Sequence, residues 1–83
     1  MQYVYVLHSL KYPDKYYTGC TIDVADRLRK HNAGHSESQS SHSSMYGPWK
    51  LIVQIGFEDK AKAFAFERYL KSGSGRAFAR KHF

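Results

Sequence analysis

The sequence predicts an α+β fold: a small three-stranded antiparallel sheet flanked by helices, in the order ββαβαα. Three observations carry that prediction. Two runs rich in aromatic and β-branched residues, YVYVLHSL and KYYTGCT, stand on either side of a Pro-Asp turn. Each of the two longest stretches with helical spacing of apolar residues follows a strand-like run. Finally, 83 residues with 42% apolar content can build one modest core, so residues 1–83 read as a single domain.

The elements follow in order. Tyr3 to Leu10 and Lys15 to Thr21 read as a hairpin joined through Pro13 and Asp14. In its first strand Tyr3, Tyr5 and Leu7 share one face and Val4 and Val6 the other, so both faces look buried, as in the middle of a layered domain. Asp23 is an N-cap candidate, Asp26 suits the positive end of a helix, and Gly34 suits a C′ position, which predicts a helix over Val24 to Ala33. The tract GHSESQSSHSSMYG has no periodicity and reads as a surface loop; the spacing of His35 and His42 fits no standard metal-ligand pattern. WKLIVQIGF, Trp49 to Phe57, is the third strand. A second helix is capped near Asp59 and stopped by Gly73 and Gly75, and RAFARKHF adds a short basic helix. The SGSG stretch follows a helix, so a helix stop is the better reading than a phosphate-cradling loop.

Charge narrows the function. Thirteen Lys and Arg against seven Asp and Glu give a net charge of +6 and a pI of about 9.6, which favours a polyanionic partner such as nucleic acid. No apolar run approaches the ~20 residues of a membrane span. MQYVYVL has neither a basic n-region nor a cleavage site, and the lone Cys20 reads as a small buried hydrophobe in a reducing compartment, so the expectation is a cytoplasmic protein. Lys15, Arg29, Lys30, Lys71 and Arg76 are the candidate nucleic-acid contacts, with Lys11, Arg80 and Lys81 as further cations able to face phosphates.

The two helices carry charge where apolar residues belong. In the first, the inward stripe is Val24, Arg27, Leu28 and His31; in the second it is Ala63, Phe66, Glu67 and Leu70. A charge taken out of water needs a partner, so Arg27 and Glu67 either border a polar cleft or form a structural ion pair. Tyr5 and Tyr17 lie on adjacent strands on the side that meets the first helix, with Gly19 on that face clearing space for close approach of a ligand or backbone. Two phenols, a guanidinium, an imidazole and a carboxylate make a credible set for cutting a phosphodiester.

These residues resemble the GIY-YIG nuclease superfamily, and especially its small single-domain bacterial branch. The first motif stands as Tyr3-Val4-Tyr5 and the second as Tyr17-Thr18-Gly19; the family's arginine, histidine and glutamate fall at Arg27, His31 and Glu67. Tyr3 replaces the first motif's glycine and Thr18 the second motif's isoleucine, and neither change removes a reacting group. The resemblance implies a metal-dependent endonuclease that hydrolyses DNA, by structure rather than sequence, with one Mg²⁺ or Mn²⁺ on Glu67, Arg27 on the scissile phosphate, the tyrosines around the attacking water and His31 handling its proton. A targeting partner or homodimer is open. A catalytically inactive nucleic-acid-binding module with the same fold is the alternative, and an interaction domain with an Arg27–Glu67 structural pair is a third.

Overall fold

The chain pairs its three strands antiparallel in the order β2-β1-β3, with β1 (Gln2–Ser9) between β2 (Tyr16–Thr21) and β3 (Trp49–Phe57). The computed structural model describes residues 1–32 and 46–83. The Ser/His tract, the expected end of the first helix at Ala33 and its Gly34 cap lie outside the described residues. The helices are α1 (Val24–Asn32), α2 (Lys60–Lys71) and α3 (Gly73–His82).

Local chemistry explains the joints. The hairpin turn closes with the Lys15 N–H donating to the Tyr12 carbonyl at 2.9 Å. Buried Ser9 holds it from within, its Oγ accepting from the Lys11 and Tyr12 N–H groups and donating to the Tyr46 carbonyl at 2.6 Å. Asp23 caps α1, taking the Asp26 N–H at 3.0 Å, and Asp59 caps α2 through the Ala61 and Lys62 N–H groups. Beyond α2 the expected reading needs correction. Ser72 both ends α2 and caps α3, its Oγ accepting from the Gly75 N–H at 3.1 Å, so SGSG opens a helix as well as stopping one. Gly75 is buried because the two helices meet there: a Cβ would run into the Tyr69 carbonyl and Leu70 Cα.

The sheet separates two apolar clusters. Even-numbered Val4 and Val6 pack with Ala63 and Leu70, joined by Phe66, Phe78 and Ala79, so α2 and α3 cover that face. Odd-numbered Tyr5 and Leu7 pack with Val24, Leu28 and Trp49 beneath α1. A register shift between Val6 and Leu7, which pair with Val53 and Leu51, leaves Ile52 as the extra residue of a bulge. Ile52 and Val53 consequently both serve the α2/α3 face, which accounts for an apolar run in β3 that does not alternate. Cys20 is only partly buried, on that same face, and accepts a 3.4 Å hydrogen bond from Gln2 Nε2.

Candidate active site

The site forms at the β2 side of the sheet, and a glycine creates it. Tyr5 sits opposite Gly19 in the β1–β2 ladder, and its ring lies across that residue: a Cβ at position 19 would stand 2.5 Å from Tyr5 Oη and 2.6 Å from Cζ. The space cleared by Gly19 is thus filled by the phenol of Tyr5, rather than left for an incoming ligand. Tyr17, half-buried on the same face, stacks with a centroid separation of 6.3 Å from Tyr5 and lies 4.4 Å from the His31 ring.

His31 comes from the last turn of α1 and is buried. Its Nε2 is 3.1 Å from Tyr5 Oη. The next residue anchors this turn: Asn32 Oδ1 accepts the Trp49 N–H at 2.6 Å while its Nδ2 donates to the Trp49 carbonyl at 3.1 Å. One side-chain amide thereby pairs with the backbone of β3 much as a neighbouring strand would. Trp49 also meets Tyr17 edge-on at 6.3 Å. Sequence reasoning passes over Asn32 and Trp49; the signal available was an amide beside the histidine at a helix end.

Burial pushes the Tyr5 phenol up to about 12, with the Tyr17 ring adding to that rise; Arg27 opposes it through its charge and a hydrogen bond, and the Glu67 carboxylate raises it further. His31 is held below its ordinary value, first by burial and then by the Arg27 charge. Near neutral pH Tyr5 therefore keeps its proton and His31 is an uncharged imidazole. A neutral imidazole with its proton on Nδ1 can accept the Tyr5 O–H at Nε2, and with its proton on Nε2 it would donate to the phenol oxygen instead.

Arg27 itself is exposed, on the rim of the α1 stripe, while Val24 and His31 are buried within it. Glu67 is half-buried on α2, between buried Ala63 and Leu70, and its Oε2 pairs with Lys71 Nζ at 3.1 Å on its own helix. The ion pair Glu67 makes is therefore with Lys71, and the carboxylate and the guanidinium share an influence on Tyr5. Of the other four sequence-derived site residues, His31 contacts the Tyr5 phenol, and Tyr17, Arg27 and Glu67 each act on its charge. The five candidate nucleic-acid contacts divide. Lys15, Lys71 and Arg76 line one groove, whereas Arg29 and Lys30 lie on α1, each 3.1 Å from an Asp26 oxygen.

A family model for the GIY-YIG catalytic domain matches residues 1–81. The chain belongs to the GIY-YIG family. Among its relatives are structure-specific endonuclease subunit SLX1 of Homo sapiens, 33% identical over 67 residues, and the SLX1 homolog of Drosophila mojavensis, 35% identical over 69. SLX1 of Kluyveromyces lactis is 35% identical over 66 residues. The matches cover 76–77% of this chain but only 23–24% of each relative, so the chain spans about a quarter of the proteins it resembles.

GIY-YIG nucleases in general depend on a divalent metal, and the donors in this GIY-YIG domain can be tested against that. Among the described residues no three His, Cys, Asp or Glu side chains gather into a cage. Closed zinc sites need such a set, whereas a hard cation can be held by one carboxylate with water and substrate phosphate supplying the rest. Glu67, with its side chain 19% exposed and its charge felt at Tyr5, fits the second kind. Among the described residues no helix is long and apolar enough to cross a membrane.

Proposed function

We propose that this chain is a metal-dependent endonuclease that hydrolyses DNA phosphodiesters, selecting its substrate by structure rather than by sequence. The observation that carries the reading is the 3.1 Å contact of Tyr5 Oη with His31 Nε2, at a phenol on which both Arg27 and Glu67 act. Tyr5 is buried at the floor of the site, and with substrate bound the attacking water would meet its Oη; as that water loses its proton to the phenol oxygen, the phenol's own proton passes to Nε2, and the neutral imidazole ends as imidazolium. This relay spares a phenol of about 12 from having to ionise in the resting site. Tyr17 walls the cleft beside both rings, and Arg27, exposed on the rim, receives charge developing on the scissile phosphate. Glu67 would hold one Mg²⁺ or Mn²⁺, which would supply Lewis-acid stabilisation of charge at the scissile phosphate.

The relatives' names supply the substrate class, structure-specific cleavage, and the word subunit, which supports a targeting partner for this chain as well. Tyr3 in place of the first motif's glycine supports its placement in the small single-domain bacterial branch, with residues 1–83 acting as one domain, and a lone cysteine fits the cytoplasm. Lys15, Lys71 and Arg76 supply backbone contacts on one side and Arg29 and Lys30 on the other.

The deciding experiment is nicking of branched and linear DNA with Mg²⁺ or Mn²⁺. Branched DNA is expected to be cut faster, with activity falling about 10²-fold or more in Arg27→Ala and Glu67→Ala while circular dichroism shows both folded. A parent protein that binds DNA yet never cleaves it with either ion would overturn the enzyme in favour of the inactive binding module.

A further inference from the structure

A groove lined by Tyr17 at one side and otherwise lying on the sheet face away from His31 holds the proposed backbone contacts Lys15, Lys71 and Arg76 together with features that the cleavage chemistry does not use. Its floor is Val6, Thr18, Ile52 and Leu70, its open volume is about 1110 Å³, and it is larger and more open than a small-molecule pocket. At its end, directly paired residues Tyr16, His8 and Lys50 form a row across all three strands. His8 and Tyr16 stack at 4.5 Å and within 9° of parallel, and His8 is fixed from behind by its 2.8 Å hydrogen bond to the Pro13 carbonyl. Tyr16 remains 59% exposed. Lys15, Lys50, Arg76 and Arg80 surround this platform, with Asp14 as the acid among them. Lys71, whose ammonium holds Glu67, and Tyr17 also line the groove, so it adjoins the candidate active site.

An exposed aromatic platform inside a cationic groove is the chemistry of sequence-tolerant single-strand binding, in which phosphates meet cations and bases stack on rings. A duplex buries the faces of its bases in its own stack and has none to offer Tyr16. We propose that this groove holds an unpaired nucleic-acid strand, one base stacked on Tyr16 and the phosphates on Lys15, Lys50, Arg76 and Arg80. It deepens the endonuclease reading and rests on it for the identity of the occupant: a branched substrate would lay its unpaired arm across this face while the scissile phosphate lies at Arg27.

The test is fluorescence anisotropy with labelled oligo(dT) and a blunt duplex, in EDTA so that cleavage does not enter, beside the nicking assay of the parent. Four phosphate contacts give a slope of log K against log salt of about −3 for the single strand. Tyr16→Ala should weaken oligo(dT) about ten-fold and the duplex by less than about two-fold. The double variant Lys50→Ala/Arg80→Ala should make the slope shallower by about 1.4. Melting curves verify that these exposed substitutions leave the fold intact. Parental oligo(dT) binding in both variants overturns the groove, even if the parent cuts branched DNA. Loss of binding in both supports the groove, even if the parent never cuts. Displacement of oligo(dT) by polyglutamate at equal charge, with Tyr16→Ala indistinguishable from parent, would instead assign the groove to an acidic polypeptide and overturn the proposal.

Discussion

Gly19 shows how one absent methyl group sets the chemistry of another residue. The Tyr5 ring occupies the space a Cβ would take, and from there reaches His31. Gly19→Ala should therefore displace the phenol, costing ~1–3 kcal/mol of stability by overpacking and most of the nicking activity. Urea melts beside the nicking assay check it, and a variant as stable and active as the parent would show that the ring does not lie there. The two titrating groups predict how the metal-free protein responds to pH. His31 is lowered in the fold, so the unfolded chain binds more protons below about 6.5, and stability falls as pH drops through that range. Tyr5 is raised to about 12, so above about 10 the unfolded phenol ionises while the folded one does not, and stability falls as pH rises from 10 to 12 by ~2–3 kcal/mol. Tyr5→Phe should flatten the alkaline limb alone in urea melts taken at pH 8, 10 and 12; an unchanged limb would place the shift on another group.

At the scale of elements, capping was legible in the sequence and contacts between elements were not. Asp23 and Asp59 declare their helices locally, because an N-cap needs only its own next three residues. Arg27 and Glu67 stood out for the same kind of reason, as charges inside apolar stripes. Asn32 offered only its place beside the histidine at a helix end, since its partner is the backbone of Trp49, seventeen residues later. Gly73 and Gly75 were legible as punctuation, but the need for Gly75 comes from α3 packing onto the end of α2, which no window of sequence contains. The expectation of a stop was half of the truth. The amide of Asn32 satisfies two buried backbone groups at once, so Asn32→Ala should cost about 2 kcal/mol or more and loosen the turn that carries His31. Melting temperature reads the first effect. The second appears in His31 imidazole shifts followed by NMR, as a pKa returning toward its ordinary value as the ring gains water; a ring that titrates as in the parent would show that another contact holds it.

Across the whole fold, the candidate site lies on the odd face of the sheet, toward its β2 side. α1 packs on the odd face and α2 on the even face, so their inward stripes point at each other through the sheet. They share a target only because Tyr5 leans over Gly19 toward the β2 side, where Arg27 and Glu67 both act on it. The amphipathic stripes foretold which residues would be unusual; that charges on helices covering opposite faces both act on Tyr5 depends on the strand order β2-β1-β3, which a hairpin reading alone does not fix. This convergence can be measured without catalysis. Substoichiometric Mn²⁺ held by Glu67 should broaden the amide signals of Gly19, Arg27 and Glu67, residues of three separate elements, more strongly than those of Lys11 and Tyr12 in the hairpin turn. Lys71→Ala, which releases the carboxylate from its 3.1 Å ion pair, should produce the same pattern at lower Mn²⁺. Glu67→Gln should abolish it. Broadening confined to α2, with Gly19 and Arg27 untouched, would mean that the carboxylate faces away from the phenol and that the five side chains do not form one site.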